Sequence, residues 1–417
     1  MLIKDVFIEL RSRLRSCNVF ITTGVDFTKN CNLKINIQSN CIVLNYYKDD
    51  CDTLQRRDSL SSIESLSDCY SEDESDVSCV IPIRKFCQII PNSMSCLKID
   101  KDTISFRILT EPKNGGNFYK ELLSTNDSEI STKQNDLNIN VKVDEDMKIN
   151  CSNCSNTISN DCIRFNRILE LPTENLDMSE WFCHGHCHGD ESHGTQDIVL
   201  KPNKTDFLYR LTYFVINNNM LSDKTNKFNS KREVYHCNRC LAWLGLKNRD
   251  TVKLFNSEVK IKHENTEINA FTHKNTQDIH TDDFIYTIEK ITREFNLGFQ
   301  YAVMCKIVLE CMVSASKKQY MLVWIMDKEL EVLRDDPEKN IDDKIELKSS
   351  FVTKMLYKVE LCMNEEVESW LSDPAVVSTE ISKSMFCNGL EHLQKMSLRV
   401  PEYFRNTNGY CVSYLKV

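Results

Sequence analysis

The sequence predicts an α+β protein with a β-rich N-terminal domain, a middle region clipped by a four-cysteine zinc site, and an α+β C-terminal domain. Three observations carry that prediction. Short apolar runs alternate with polar residues through the first 123 positions, two Cys-x2-Cys pairs bracket a central stretch, and apolar residues at helical spacing become clear only beyond residue 280.

A chain of 417 residues with 41% hydrophobic content can bury the cores of two or three domains. Only 10 glycines and 8 prolines exclude collagen-like and Pro-rich low-complexity classes. A net charge of −9 and a pI near 5.6 argue against a large nucleic-acid footprint, so no direct nucleic-acid partner is expected. The longest apolar run, Tyr320 to Met326, is strand-length, and no membrane span is expected. The N-terminus scatters charges through its apolar residues and has no signal-peptide core. The expected location is the cytoplasm, with or without entry into the nucleus. There, most of the 20 cysteines should be reduced thiols or metal ligands. Cys41, Cys96, Cys305, Cys311 and Cys411 lie within apolar runs and are expected to pack as small hydrophobes.

The β-rich domain is placed at 1–123. Leu33 to Ile37 alternates cleanly and Cys41 to Leu44 is a short buried run; strands follow at Val80–Ile83, Cys96–Ile99 and Thr103–Leu109. Between them an acidic, Ser-rich insert (52–79) has too few apolar anchors to offset its ordering entropy, so it is expected to be disordered. Residues 124–147 read as a linker or loop, 148–248 as the zinc-knuckle region, and 249–417 as the α+β C-terminal domain. The last begins with a strand over Thr251–Lys262. A helix near Asp282–Phe295 places Phe284, Ile285, Ile288, Ile291 and Phe295 on one face. A hairpin follows from Lys306–Val313 and Gln319–Met326, then a helix over Thr379–Met396 and a closing strand over Tyr410–Lys416.

Cys151-Ser-Asn-Cys154 and Cys237-Asn-Arg-Cys240 carry the metal chemistry. Two residues between cysteines let one tight turn aim both thiolates at one ion, and two such turns complete a tetrahedral zinc site. The site would close a long excursion between residues 154 and 237 and lower its unfolded-state entropy.

A second cluster, Cys183-His-Gly-His186-Cys187-His188 with His193 beyond, follows Trp181. Four readings of it stand side by side. It could hold a second zinc; Cys183 beside His184 could be a nucleophile; the stretch could be a solvated loop anchored by Trp181; or Cys183 could be a thiolate offered to a partner's metal.

The order of the motifs resembles the HECT-like ubiquitin-ligase family, whose members are described as binding a ubiquitin-conjugating enzyme. The matching blocks are Cys151-x2-Cys154, Arg167-Ile-Leu-Glu-Leu171-Pro172-Thr-Glu174-Asn175, Glu180-Trp181-Phe-Cys183-His184, Cys237-x2-Cys240 with Leu244-Gly245, and the apolar hairpin ending Tyr320 to Met326. A tail with Pro401, Asn408 and Val412 to Lys416 completes them. They span about residues 148 to 417, and Leu176 stands where the family has tryptophan. The resemblance implies a HECT-like C-terminal domain and two functions. One is ubiquitin transfer through a thioester, for which Cys387 is the candidate acceptor, although its helical, apolar setting predicts core packing. The other is partnership with the metallo-β-lactamase-fold endonuclease that cleaves pre-mRNA before polyadenylation. In that role Cys183, with His184, would coordinate the nuclease's metals and hold it inactive, and Leu171, Pro172, Glu174, Asn175 and Trp181 would anchor the motif.

Overall fold

The computed structural model describes residues 3–24, 26–27, 32–47, 77–118, 137–171, 203–222, 234–248, 250–264, 266–273, 278–296, 304–314, 317–335 and 345–416. The hairpin Ile3–Arg11/Ser16–Thr23, turned at Arg15 in the left-handed region, opens the chain and enters an 11-stranded sheet. That sheet runs Asn406–Thr407, Tyr410–Tyr414, Leu347–Glu360, Lys317–Asp335, Ile3–Arg11, Ser16–Thr23, Thr103–Pro112, Cys87–Ile89, with three further strands paired off this path. Its first strand pairs antiparallel with a strand more than 300 residues away, Phe7–Leu10 against Glu331–Arg334.

The strand Lys317–Asp335 makes this possible. Its first half pairs with Cys305–Ser314 as the expected hairpin, but it continues well beyond Met326 to the N-terminal strands. Polar residues at Lys328, Glu329, Glu331 and Arg334 hide that extension from a reading of apolar runs. On one face of the N-terminal part, the three-stranded sheet Asn32–Ile37, Cys41–Tyr47, Val77–Pro82 packs Ile42, Leu44 and Ile81 against Val6, Ile8, Val19 and Ile21. The acidic insert therefore ends before Val77, because Val77 to Pro82 pair with Cys41 to Tyr46; residues 52–76 and 124–136 lie outside the described residues.

Three α-helices lie among the described residues: α1 (Ile279–Phe295), α2 (Glu365–Leu371) and α3 (Lys383–Ser397). Helix α1 is capped by Asp278, whose side chain accepts from the His280 and Thr281 N–H groups, and it buries Phe284, Ile288 and Ile291. Helix α3 buries Met385, Phe386 and Leu393 beside it, and Gly389 leaves room for the Phe284 ring, which a Cβ would strike. Both lie over Ile307, Leu309, Met321 and Val323; α2 covers the other face with Val367 and Trp370. The helix expected from Thr379 starts later, with Ser382 as its cap. The β-branched residues before it form a strand instead, Val376–Glu380, parallel to Cys305–Ser314.

The middle region forms a 6-stranded sheet in the order Arg167–Glu170, Asp206–Arg210, Tyr213–Asn217, Thr251–Phe255, Trp243–Asn248, Val234–His236. The strand expected over Thr251–Lys262 is broken by a turn at Asn256–Glu258. Its second half, Val259–His263, crosses to a 3-stranded sheet beside Lys148–Cys151. Phe165, Phe207, Phe214 and Phe271 fill the space between.

The two ends of the chain are sealed by one buried carboxylate. Glu9, with no exposure, accepts from Lys354 Nζ (2.6 Å), Tyr414 Oη (2.6 Å) and Asn18 Nδ2 (2.9 Å). Burial pushes the carboxyl up, but the Lys354 ammonium and the two neutral donors bring it below its ordinary value. A depressed carboxyl contributes stability above its unfolded value and loses it as pH falls through the folded one. Lys354→Met should therefore destabilise the protein by about 3–5 kcal/mol in denaturant titrations at neutral pH, since it leaves a buried charge without its counter-ion. The deficit should shrink below the ordinary glutamate range.

Candidate metal centre

Each Cys-x2-Cys pair folds into the same turn. The Cys151 N–H donates to Asn156 O (2.9 Å) and the Ser155 N–H to Cys151 O (2.9 Å). In the second pair the Cys237 N–H donates to Ala242 O (2.9 Å) and the Leu241 N–H to Cys237 O (3.0 Å). Ser155 (φ 53°) and Leu241 (φ 58°) are both left-handed, and in each turn the first cysteine is buried and the second half-buried. The two turns face one another. Sγ of Cys151 lies 3.7 Å from that of Cys240, Sγ of Cys154 lies 3.6 Å from that of Cys237, and all four lie within 4.8 Å of one another.

A tetrahedral ion with Zn–S bonds of about 2.3 Å holds its sulfurs about 3.8 Å apart, so the donor set fits a four-cysteine metal ion. Asn156 Nδ2 lies 3.8 Å from the Cys237 sulfur and the Asn153 side chain reaches Cys240. Burial pushes the Cys151 thiol well up. At Cys240 burial acts the same way but is outweighed by Asn153, the Ala242 backbone and the neighbouring thiols, which bring that thiol to about 6. The site ties the end of Lys148–Cys151 to the end of Val234–His236, strands of two different sheets. Just beyond it Gly245 is required, because a Cβ there would enter the Lys253 carbonyl.

Of the partner-motif residues, Leu171 is described: its N–H donates to Tyr209 O (2.7 Å) and its side chain packs on the core under α1 and α3. Pro172, Glu174, Asn175, Trp181, Cys183, His184, His186, Cys187, His188 and His193 lie outside the described residues. The strand leading to Leu171 is firmly held. Arg167 grips Asp206 through two bonds (2.9 and 2.7 Å), which holds Asp206 below its ordinary value. Glu170 meets Lys290 of α1 (2.9 Å), and Glu294 of the same helix meets Arg210 (2.8 Å).

Cys387 does not pack in the core as expected. It is exposed on α3, because Met385, Phe386 and Gly389 take the inward positions. Among the cysteines expected to be buried, Cys305 and Cys311 are, Cys41 and Cys411 are half-buried, and Cys96 is exposed at a left-handed bulge.

Sequence reasoning missed a buried polar network between the middle region and α1. His273 Nε2 lies 2.7 Å from Oδ1 of Asp283, which has no exposure. Asn256 Nδ2 donates to both Asp283 oxygens (3.3 and 3.1 Å) and to Phe271 O (3.1 Å), while its own Oδ1 accepts the Phe271 N–H (2.8 Å). Nothing in the local pattern separates buried Asp283 from its neighbour Asp282. Burial pushes Asp283 up to about 6 against the pull of His273, Asn256 and His280.

A family model described as HECT-like ubiquitin-conjugating enzyme (E2)-binding matches residues 9–412, which includes the N-terminal strands as well as the cysteine motifs. No curated protein and no solved structure matches the chain.

Two outcomes are expected here. The purified chain should hold one zinc through this site. Cys240→Ser should lose it and destabilise the protein by several kcal/mol, since opening a loop of 83 residues restores about 4–5 kcal/mol of chain entropy to the unfolded state; elemental analysis with thermal denaturation reads both. A raised carboxyl contributes stability below its ordinary value and loses it as pH rises through its folded one. The stability of wild type relative to Asp283→Asn should therefore fall by about 3 kcal/mol between about pH 4 and pH 7. Proton competition at the cysteines is common to both proteins and cancels.

Proposed function

The chain belongs to the HECT-like ubiquitin-conjugating enzyme (E2)-binding family, and from that premise we propose that it acts as a binding partner at two levels. It engages a ubiquitin-conjugating enzyme, and it presents Cys183, with His184 beside it, to the active-site metals of the metallo-β-lactamase-fold endonuclease of pre-mRNA 3′-end cleavage. The observation that carries this reading is the composition of the metal site. Cys151, Cys154, Cys237 and Cys240 supply four sulfurs at tetrahedral spacing, so that ion makes no demand on Cys183. A second support is the frame on which the motif is mounted: Arg167, Glu170 and Leu171 are fixed to Asp206, α1 and Tyr209 immediately before Pro172.

The chemistry follows from ligand preference. A dinuclear hydrolase activates a water or hydroxide between its metals. A thiolate is a softer and stronger zinc ligand than water, so it displaces the nucleophile and stops turnover. Capture of this kind also stabilises the folded, metal-loaded nuclease by mass action, which is the action of a chaperone as well as of an inhibitor.

One observation favours a second reading. The exposure of Cys387 leaves its thiol within reach of another protein. In a HECT-like transfer the Cys387 thiolate would attack the carbonyl of the thioester on the ubiquitin-conjugating enzyme, and that enzyme's cysteine would leave as thiolate.

The deciding measurement is zinc stoichiometry on wild type and Cys183→Ser, each alone and with the endonuclease. One zinc per free chain in both, with affinity for the endonuclease lost in the variant alone, is the expected result. Two zincs in wild type and one in the variant would make Cys183 a ligand of the chain's own metal and overturn the capture reading. A ubiquitin thioester that forms on wild type and not on Cys387→Ala would establish the ligase instead.

A further inference from the structure

The strand Ser95–Asp100 is bare. It pairs with Thr103–Pro112 along one edge, and among the described residues no strand pairs with its other edge. Every residue in it except half-buried Lys98 is exposed, Leu97 at 46% and Ile99 at 44%. A strand in this position offers a row of unpaired N–H and C=O groups flanked by apolar side chains, and so a template for another strand.

Its geometry fixes which groups it offers. Asp100 and Thr103 flank a two-residue turn and form its hydrogen-bonded pair, so alternation turns the Ile99 N–H and C=O outward. Lys98 and Asp100 share the face that carries Tyr403, whose ring the Lys98 ammonium covers, and Leu97 and Ile99 share the opposite face. The bulge at Cys96 confines regular pairing to Leu97–Asp100.

We propose that this edge is a homodimer interface, in which two copies of the chain pair antiparallel about a two-fold axis through Ile99. In that register Ile99 meets Ile99 of the second copy as a hydrogen-bonded pair. Lys98 of each copy stands opposite Asp100 of the other, and the Leu97 and Ile99 side chains form one apolar strip. Shifting the axis to Lys98 or to Asp100 would set like charges directly opposite, which is destabilising. The bulge at Cys96 removes an axis through Leu97, so the bulge and the charge order together select a second copy as the occupant, and a single register for it. Because the pairing is short, the dimer depends on concentration.

The test is sedimentation velocity over a range of concentrations on the full chain, with zinc content and circular dichroism as controls for folding. Wild type should show a concentration-dependent dimer. Lys98→Asp alone and Asp100→Lys alone should each be monomeric, since each sets like charges against one another. The double swap should restore the dimer, and an equimolar mixture of the two single variants should form a heterodimer. A wild type that stays monomeric, single variants that dimerise like wild type, or a double swap that fails to restore association would each overturn the proposal.

Discussion

A glutamate with no access to water sits where the first strand of the chain meets its last. Glu9 is on a strand whose ladder with Glu331–Arg334 covers only four residues, from Phe7 to Leu10. Backbone pairing of that length would admit a slip by two residues, which keeps each side chain on its own face, because apolar side chains accept approximate neighbours. A buried carboxylate does not. It must find Lys354, Tyr414 and Asn18 together, and those three come from the Leu347–Glu360 strand, the final strand and the second strand. Satisfying Glu9 therefore sets the register of the N-terminal hairpin against the C-terminal strands at once. The middle region is then an excursion that leaves this sheet and returns to it.

Inside that excursion the same constraint is met by different chemistry. The four cysteines join two sheets that share a core of phenylalanines, and the metal coordination would forbid any arrangement that does not bring all four sulfurs together. Asp283, His273 and Asn256 then fasten this region to α1, and Arg210 does so again through Glu294. Each join of the fold is thus closed by a polar group that is satisfied in one geometry only. Apolar packing supplies most of the stability, and the polar contacts choose among the packings.

This division explains what was legible in the sequence. The Cys-x2-Cys pairs could be read because a metal knuckle is local: two residues of spacing and a turn are enough. Helix α1 could be read from Phe284, Ile288 and Ile291, since its buried face repeats along a short stretch. The seam could not. Phe7–Leu10 looks like any apolar strand, and its partner segment Glu331–Arg334 is half polar, so nothing local announces that they pair. The helix expected from Thr379 overlaps only the end of the strand Val376–Glu380; a run this short carries no period of its own, and only its parallel partner Lys306–Glu310 decides the matter. Asp283 was invisible for the same reason: it is buried by residues remote in sequence.

The fold also sorts the thiols, and this bears on which cysteine can do chemistry. Burial pushes Cys87, Cys305 and Cys311 up to about 12 and Cys17 well above its ordinary value, so all four are held as neutral, inert side chains at physiological pH. Cys162 is exposed but gives its proton to a hydrogen bond with Asp146, which holds that thiol up as well. Cys151, Cys154, Cys237 and Cys240 are committed to one another. Among the described residues that leaves Cys96, Cys362 and Cys387 as exposed cysteines without such a constraint, and Cys387 is the one displayed on a helix. Among the 15 described cysteines, burial and the four-cysteine cluster account for eight, which narrows the choice of exposed thiol there. The two proposed readings differ in the sulfur they use, Cys183 offered to a metal or Cys387 offered to a thioester.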